Sequence, residues 1–258
     1  MNRDEAADLL RIKDLERILN DDSIVVDVGA HVGEFSAAIR SISNASIYAF
    51  EPVPDAFASL KQNFLDEKFF PINAAIALEN DYATFHITES LVGSSLLPPV
   101  KGQTSKWLNE TTSIEVKTTR LDTFIEINSF TKISLLKTDA EGYDLRVLES
   151  AGKFLEPSFV QAVLVEMSFH KFHEGQDKFY KAIELLTEKG YFLAGFYPHF
   201  NHNDWLWWQT CCSYQIVQSI QQISDLGLSP LCPLSPLPVP WFLNIRFQRN
   251  KSSFDCHG

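Results

Sequence analysis

Apolar and polar positions along this chain follow two periods in turn. Leu9, Leu10, Ile12, Leu15, Ile18 and Leu19 recur at helical steps and predict an amphipathic helix within residues 1–22. The pattern then changes to short apolar runs at 23–28, 46–50 and 69–72, which read as buried strands. Helical spacing separates them at 33–41 and at 54–64, where Pro54 opens the second helix. Strict alternation over 83–87 and 114–118 predicts two further strands. A strand at 133–138, a helix at 144–151, a strand at 162–167, a helix at 178–188 stopped by Gly190, and a strand at 191–196 complete the series. Strands alternating with helices predict an α/β fold, a mostly parallel sheet covered by helices on both faces.

The end of the first strand and its loop, Val26-Asp27-Val28-Gly29-Ala30-His31-Val32-Gly33, read as strand, tight turn and helix start. Glycine lets a ligand approach the backbone there, because it carries no Cβ. Glu51 closes the second strand, 18 residues after Gly33, at the distance where an acid reaches ribose hydroxyls. A dinucleotide loop would place a second glycine for the pyrophosphate at the position His31 holds. An acid at the strand end and no such glycine suit a ligand with a cationic part and no phosphate. S-adenosylmethionine has that chemistry. Asp27, Gly29, Ala30, Gly33, Glu51 and Asn73, just after the third strand, are the candidate donor-binding residues.

Composition narrows the class. A chain of 258 residues with 45% apolar content fits one large domain or a domain with an appendage. A net charge of −11 argues against a nucleic-acid partner, which needs a basic face. The charged N-terminus has no apolar signal-peptide core, and no apolar run has the ~20 residues of a membrane span, so a cytoplasmic location is expected. Cys211, Cys212, Cys232 and Cys256 form no C-x-x-C motif. The pairs His170-x-x-His173 and His199-x-x-His202 lack the spacing of a helical zinc motif. No metal ligands are assigned.

Polar groups gather at the strand ends. Beyond those named, Asp139 and Glu141 come after the 133–138 strand, and Glu166 closes the 162–167 strand. Ligands of open α/β sheets bind at the carboxyl ends of strands. Asp139 and Glu141 are therefore candidates for holding an acceptor, whereas Asp144, in a helix's first turn, reads as a capping acid.

Several stretches, taken in order, resemble the FkbM-type methyltransferases. They are the loop from Val26 to Gly33, Ala49-Phe50-Glu51-Pro52, Asn73-Ala74, Gly93-Ser94-Ser95, Arg120-Leu121-Asp122 before a short helix, Lys137-Thr138-Asp139-Ala140-Glu141-Gly142, and Val165-Glu166. The likeness covers residues 20 to 208. It implies a Rossmann-like class I methyltransferase fold that uses S-adenosylmethionine and methylates a hydroxyl of a sugar or secondary metabolite, hence a small-molecule or glycan acceptor. Within it, Asp139 and Glu141 position the acceptor, and His170 is the candidate general base because imidazole titrates near working pH. A divalent cation between Asp139 and Glu166 stays open, by analogy with metal-dependent O-methyltransferases. Two alternatives also stay open: an inactive binding protein of the same fold, and a nicotinamide-dependent oxidoreductase.

Residues 209–258 break the pattern, with few charges and five prolines between Pro230 and Pro240. This gives three units: a helix at 1–22, a catalytic domain at 23–208 and an irregular Pro-rich tail. Two readings of the tail stand. Either the reading frame is lost near Trp208, or Tyr214-Gln215-Ile216-Val217 closes the sheet and the rest is an extension.

Overall fold

The structure is a computed structural model and describes residues 3–102, 108–199 and 212–218. Helix α1 (Arg3–Ile18) leads into β1 (Ile24–Val28), α2 (Glu34–Ile42), β2 (Ser46–Phe50), α3 (Pro54–Asn63) and β3 (Phe69–Ile72). Strands β4 (Ala75–Ile76), β5 (Tyr82–Thr88) and β6 (Glu110–Thr119) come next. The chain then runs through α4 (Leu121–Ile127), β7 (Ile133–Thr138), α5 (Asp144–Ser150), β8 (Val160–Ser168), α6 (Tyr180–Glu188), β9 (Phe192–His199) and β10 (Cys212–Gln218).

Seven strands form the main sheet in the order β3-β2-β1-β7-β8-β10-β9. All its described pairings are parallel except those of β10, which lies antiparallel between β8 and β9. Period-two alternation sends side chains of one strand to opposite layers. In β1, Val26 and Val28 pack with α4, α5 and α6, among them Leu121, Val147 and Leu186. Val25 faces the other layer, with Leu15 of α1, Ile39 of α2 and Leu60 of α3.

The structure adds three points. Helix α1 is not a unit of its own: Leu15 and Leu19 are buried in the second layer, and the Tyr197 hydroxyl donates to Asp14. Strands β5 and β6 do not enter the main sheet. They pair antiparallel with each other and join β4 in a separate three-stranded sheet, because no crossover helix separates them. The main sheet continues past the boundary at residue 208, since Cys212–Gln218 pair with both β8 and β9; this strand contains the Tyr214–Val217 segment that the second reading of the tail takes as the closing strand. The tail beyond 218, its prolines and the question of its reading frame lie outside the described residues.

Gly33 adopts φ 96° at the start of α2, and a Cβ there would overlap the Phe64 ring and meet Leu60 Cδ1 at 2.9 Å. Its role is thus the fit of α2 against α3. Gly33→Ala should cost about 2–4 kcal/mol in urea unfolding, from the left-handed backbone and the overpacking together.

Candidate active site

A cavity of about 770 Å³ opens at the carboxyl ends of β1, β2, β7 and β8. Its floor includes Gly29, Glu51, Lys137, Asp139 and Glu166, and its roof includes Leu91, Ser94 and Phe172. The roof segment is anchored by His173, a buried residue whose Nε2 donates to the Gly93 carbonyl at 3.0 Å. Burial lowers the pKa of that imidazole, which keeps it neutral.

At one end, the loop after β1 is tied to the loop after β2. The amides of Gly29 and Ala30 both donate to the Phe50 carbonyl, at 3.1 and 2.9 Å. His31, at φ 50°, donates its amide to Glu51 Oε2 at 2.8 Å, and Val53 donates to Oε1 at 2.8 Å. Glu51 is 5% exposed, and burial pushes its carboxyl up to about 7 against the pull of those two amides. Gly29, Ala30 and Glu51 all line the cavity. Asn73 does not: its amide donates to the carbonyls of Glu51 and Pro52 at 2.9 and 3.1 Å and so braces the wall from outside. Gly29 is required for a different reason from ligand access. Its φ is 73°, and a Cβ would overlap the Asp139 carbonyl oxygen.

Asp27 lies beneath the floor, with no exposed surface. Parallel pairing of β1 and β7 sets Asp27 beside Lys137. Lys137 Nζ stands 3.1 Å from Asp27 Oδ1, Ser36 donates to Oδ2 at 2.8 Å, and the same ammonium donates to the Gly29 carbonyl at 2.9 Å. Burial alone would lower the Lys137 pKa, but Asp27, Asp139 and Glu166 together raise it above the ordinary lysine value. Lys137 also lines the cavity, and the strand-end pattern does not single it out. A signal for it exists: a lysine directly after Leu135-Leu136, inside the strand Ile133–Thr138, needs a buried partner.

At the other end, the turn after β7 carries Asp139 and Glu141, the latter at φ 49°. Asp144 holds that turn. Its carboxylate accepts from the Thr138 hydroxyl, the Ala140 amide at 2.9 Å and the Gly142 amide at 3.2 Å. It therefore braces the preceding turn and is more than a first-turn acid. Burial pushes its carboxyl up to about 6. Asp139, Glu141 and Glu166 each offer a carboxylate oxygen, all within 4.8 Å of one another. Such a set can hold a cation or share protons. Burial, then the neighbouring acids, raises Glu141 and Glu166 well above the carboxylate range. His170 stands apart: it is exposed just past β8, packs its ring near Phe172, and does not line the cavity. Of the pair His170 and His173, the structure employs His173, and for support.

A mostly parallel sheet with one reversed strand near its edge, and a ligand-sized cavity over the strand ends, define a Rossmann-like methyltransferase fold. Residues 27–193 match the Methyltransferase FkbM domain, and the chain belongs to that family of methyltransferases. It is 26% identical over 190 residues to "Methyltransferase 1" of Beauveria bassiana, covering 67% of this chain and 74% of that protein. It is 25% identical over 176 residues to the hexuronic acid methyltransferase AglP of Haloferax volcanii, covering 66% of each. Among solved structures, an rRNA methylase from Streptococcus thermophilus aligns at 15% identity with a TM-score of 0.46, over 82% of this chain and 95% of that one. Among the described residues no helix is long and apolar enough to cross a membrane.

Replacing Lys137 by Met strands the Asp27 charge in the interior. The variant should lose about 3–5 kcal/mol in urea unfolding. The loss should be smaller in an Asp27→Asn background, because the two residues act as a pair.

Proposed function

We propose that this protein is an S-adenosylmethionine-dependent O-methyltransferase acting on a hydroxyl of a sugar or secondary metabolite. The observation that carries the reading is one cavity with two chemically distinct ends. Glu51 and the Gly29–His31 loop line one, and Asp139, Glu141 and Glu166 line the other. The first end fits a nucleoside donor. The Glu51 carboxylate is preset by two amides and keeps lone pairs for ribose hydroxyls. When bound, the donor supplies a methyl group on a positively charged sulfur.

The chain's own residues then have two tasks. One is to hold an acceptor oxygen in line with that methyl group and exclude water, as the roof over the floor allows. The other is to take the hydroxyl proton. Asp139, Glu141 and Glu166 line the cavity where His170 does not, so the base role passes to these carboxylates. Burial and the neighbouring acids raise the proton affinity of Glu141 and Glu166, which strengthens either one as a base once it is ionised. Family membership favours methyl transfer over the oxidoreductase alternative. The similarity to a hexuronic acid methyltransferase supports a sugar-type acceptor.

Glu51 gives a pH-dependent test. Its folded value near 7 lies above the ordinary 4.5, so the native state holds a proton that the unfolded chain releases between those values. The stability that Glu51 contributes therefore falls as pH rises through that window. Donor binding runs the other way, since the ionised form accepts hydroxyl protons better. Affinity for S-adenosylhomocysteine, measured by calorimetry, should rise through about pH 7 and level off. Glu51→Gln should flatten that rise and weaken binding by about 1–3 kcal/mol.

Acceptor-end substitutions should act on turnover. Asp139→Ala or Glu141→Ala should lower kcat/KM at least ~100-fold, with donor affinity changed far less. Steady-state assays over a panel of hydroxylated acceptors, run beside calorimetry of the donor product, separate the two effects.

A further inference from the structure

We infer that Asp139, Glu141 and Glu166 read the charge on the donor's sulfur, so that the protein binds S-adenosylmethionine more tightly than its demethylated product. The inference rests on the donor reading above and adds to it a role in selecting the donor over the spent product.

The argument begins with strand order. Glu51 lies just past β2, Asp139 and Glu141 just past β7, and Glu166 near the end of β8, in a sheet ordered β2-β1-β7-β8. Neighbouring strands lie ~4.8 Å apart, so the cavity extends sideways from Glu51 towards the carboxylates by two to three strand spacings. In the donor, the sulfur is joined to the ribose through a single carbon. A ribose held at Glu51 would keep the sulfur inside the same cavity, whose other end Asp139, Glu141 and Glu166 line.

Charge accounting supplies the second step. Four carboxyl groups (Asp27, Asp139, Glu141 and Glu166) act on one ammonium, Lys137. That ammonium is shared, at 3.1 Å from Asp27 and 3.5 Å from Asp139. Glu166 is 7% exposed, so water screens its charge poorly. Crowded acids in such a place favour any positive charge that enters. The raised proton affinity of Glu141 and Glu166 reports the same unmet demand.

The third step is what transfer does to that attraction. The acceptor oxygen bonds to the methyl carbon, the carbon–sulfur bond breaks with its electron pair going to sulfur, and the hydroxyl proton passes to a carboxylate. The sulfur is then neutral. The attraction that held the donor is absent from the product, and the product leaves more readily.

Three adenosyl ligands test this by calorimetry, with a chelator present so that no divalent ion fills the cluster. They are S-adenosylmethionine, S-adenosylhomocysteine, and sinefungin, in which an amine-bearing carbon replaces the charged sulfur. The native protein should bind the two cationic ligands about ten-fold or more tightly than S-adenosylhomocysteine. Glu141→Gln and Glu166→Gln should each shrink that preference several-fold while moving the affinity for S-adenosylhomocysteine by less than about two-fold. Glu141 sits on a turn, so its variant keeps the test open should Glu166→Gln fail to fold. Equal or tighter binding of S-adenosylhomocysteine overturns the inference alone, as does a preference unchanged in a folded variant. Failure of all three ligands to bind overturns the donor reading and this inference with it.

Discussion

The site depends on one buried ion pair. Asp27 and Lys137 sit side by side on the adjacent strands β1 and β7, and both side chains are buried. Burying either alone would cost several kcal/mol, so each requires the other. The pair also reaches upward, since Lys137 donates to the Gly29 carbonyl, and Gly29 in turn packs against the Asp139 carbonyl. Through these contacts a single ammonium fixes the height of the glycine loop and its distance from the acidic turn. Both ends of the cavity are therefore referenced to one point beneath its floor.

Above that point the acids fall into two kinds. Glu51 and Asp144 point into backbone and accept amide hydrogen bonds, and each sets the shape of a turn that contains a residue at positive φ, His31 or Glu141. Such backbone conformations are unfavourable for residues other than glycine and persist only where the surroundings hold them. Asp139, Glu141 and Glu166 crowd one another in the cavity instead, with Lys137 as their nearest cation. Asp144, by accepting from the Ala140 and Gly142 amides, holds the turn that carries Asp139 and Glu141.

How much of this is legible in the chain depends on the range of each signal. The βα alternation is local, so the strands of the main sheet and the glycine loop are visible in the hydrophobic period. Glu51 and the acids after β7 are visible because strand ends are. The fate of β5 and β6 is not, because alternation identifies a strand but not its partner. Asp27 is legible as a polar residue at a strand end, yet its direction depends on pleat parity, and it faces α2 and Lys137 rather than the cavity. His170 and His173 differ by three residues and by a full reversal of environment, exposed against buried. Only the turn after β8 decides between them, and no periodicity encodes that turn.

The floor and the roof of the cavity obey different constraints. The floor is made of strand ends in fixed register, joined by a buried ion pair and backbone hydrogen bonds, and it has little freedom to vary. The roof is drawn from the stretch that follows β5 and from the segment after β8 that carries Phe172. It is clamped at His173, where the Gly93 carbonyl accepts, and again where Val100 donates to the Phe172 carbonyl at 2.9 Å and Glu174 to the Pro98 carbonyl at 2.8 Å. Just before the first of those clamps Leu91 and Val92 are exposed, with Leu91 at φ 61°. An apolar rim held open in an unfavourable conformation contributes nothing to the core, so its shape answers to what enters the cavity. On the reading proposed above, the chemistry common to the family resides in the floor, and the identity of the acceptor is decided by side chains on this clamped roof.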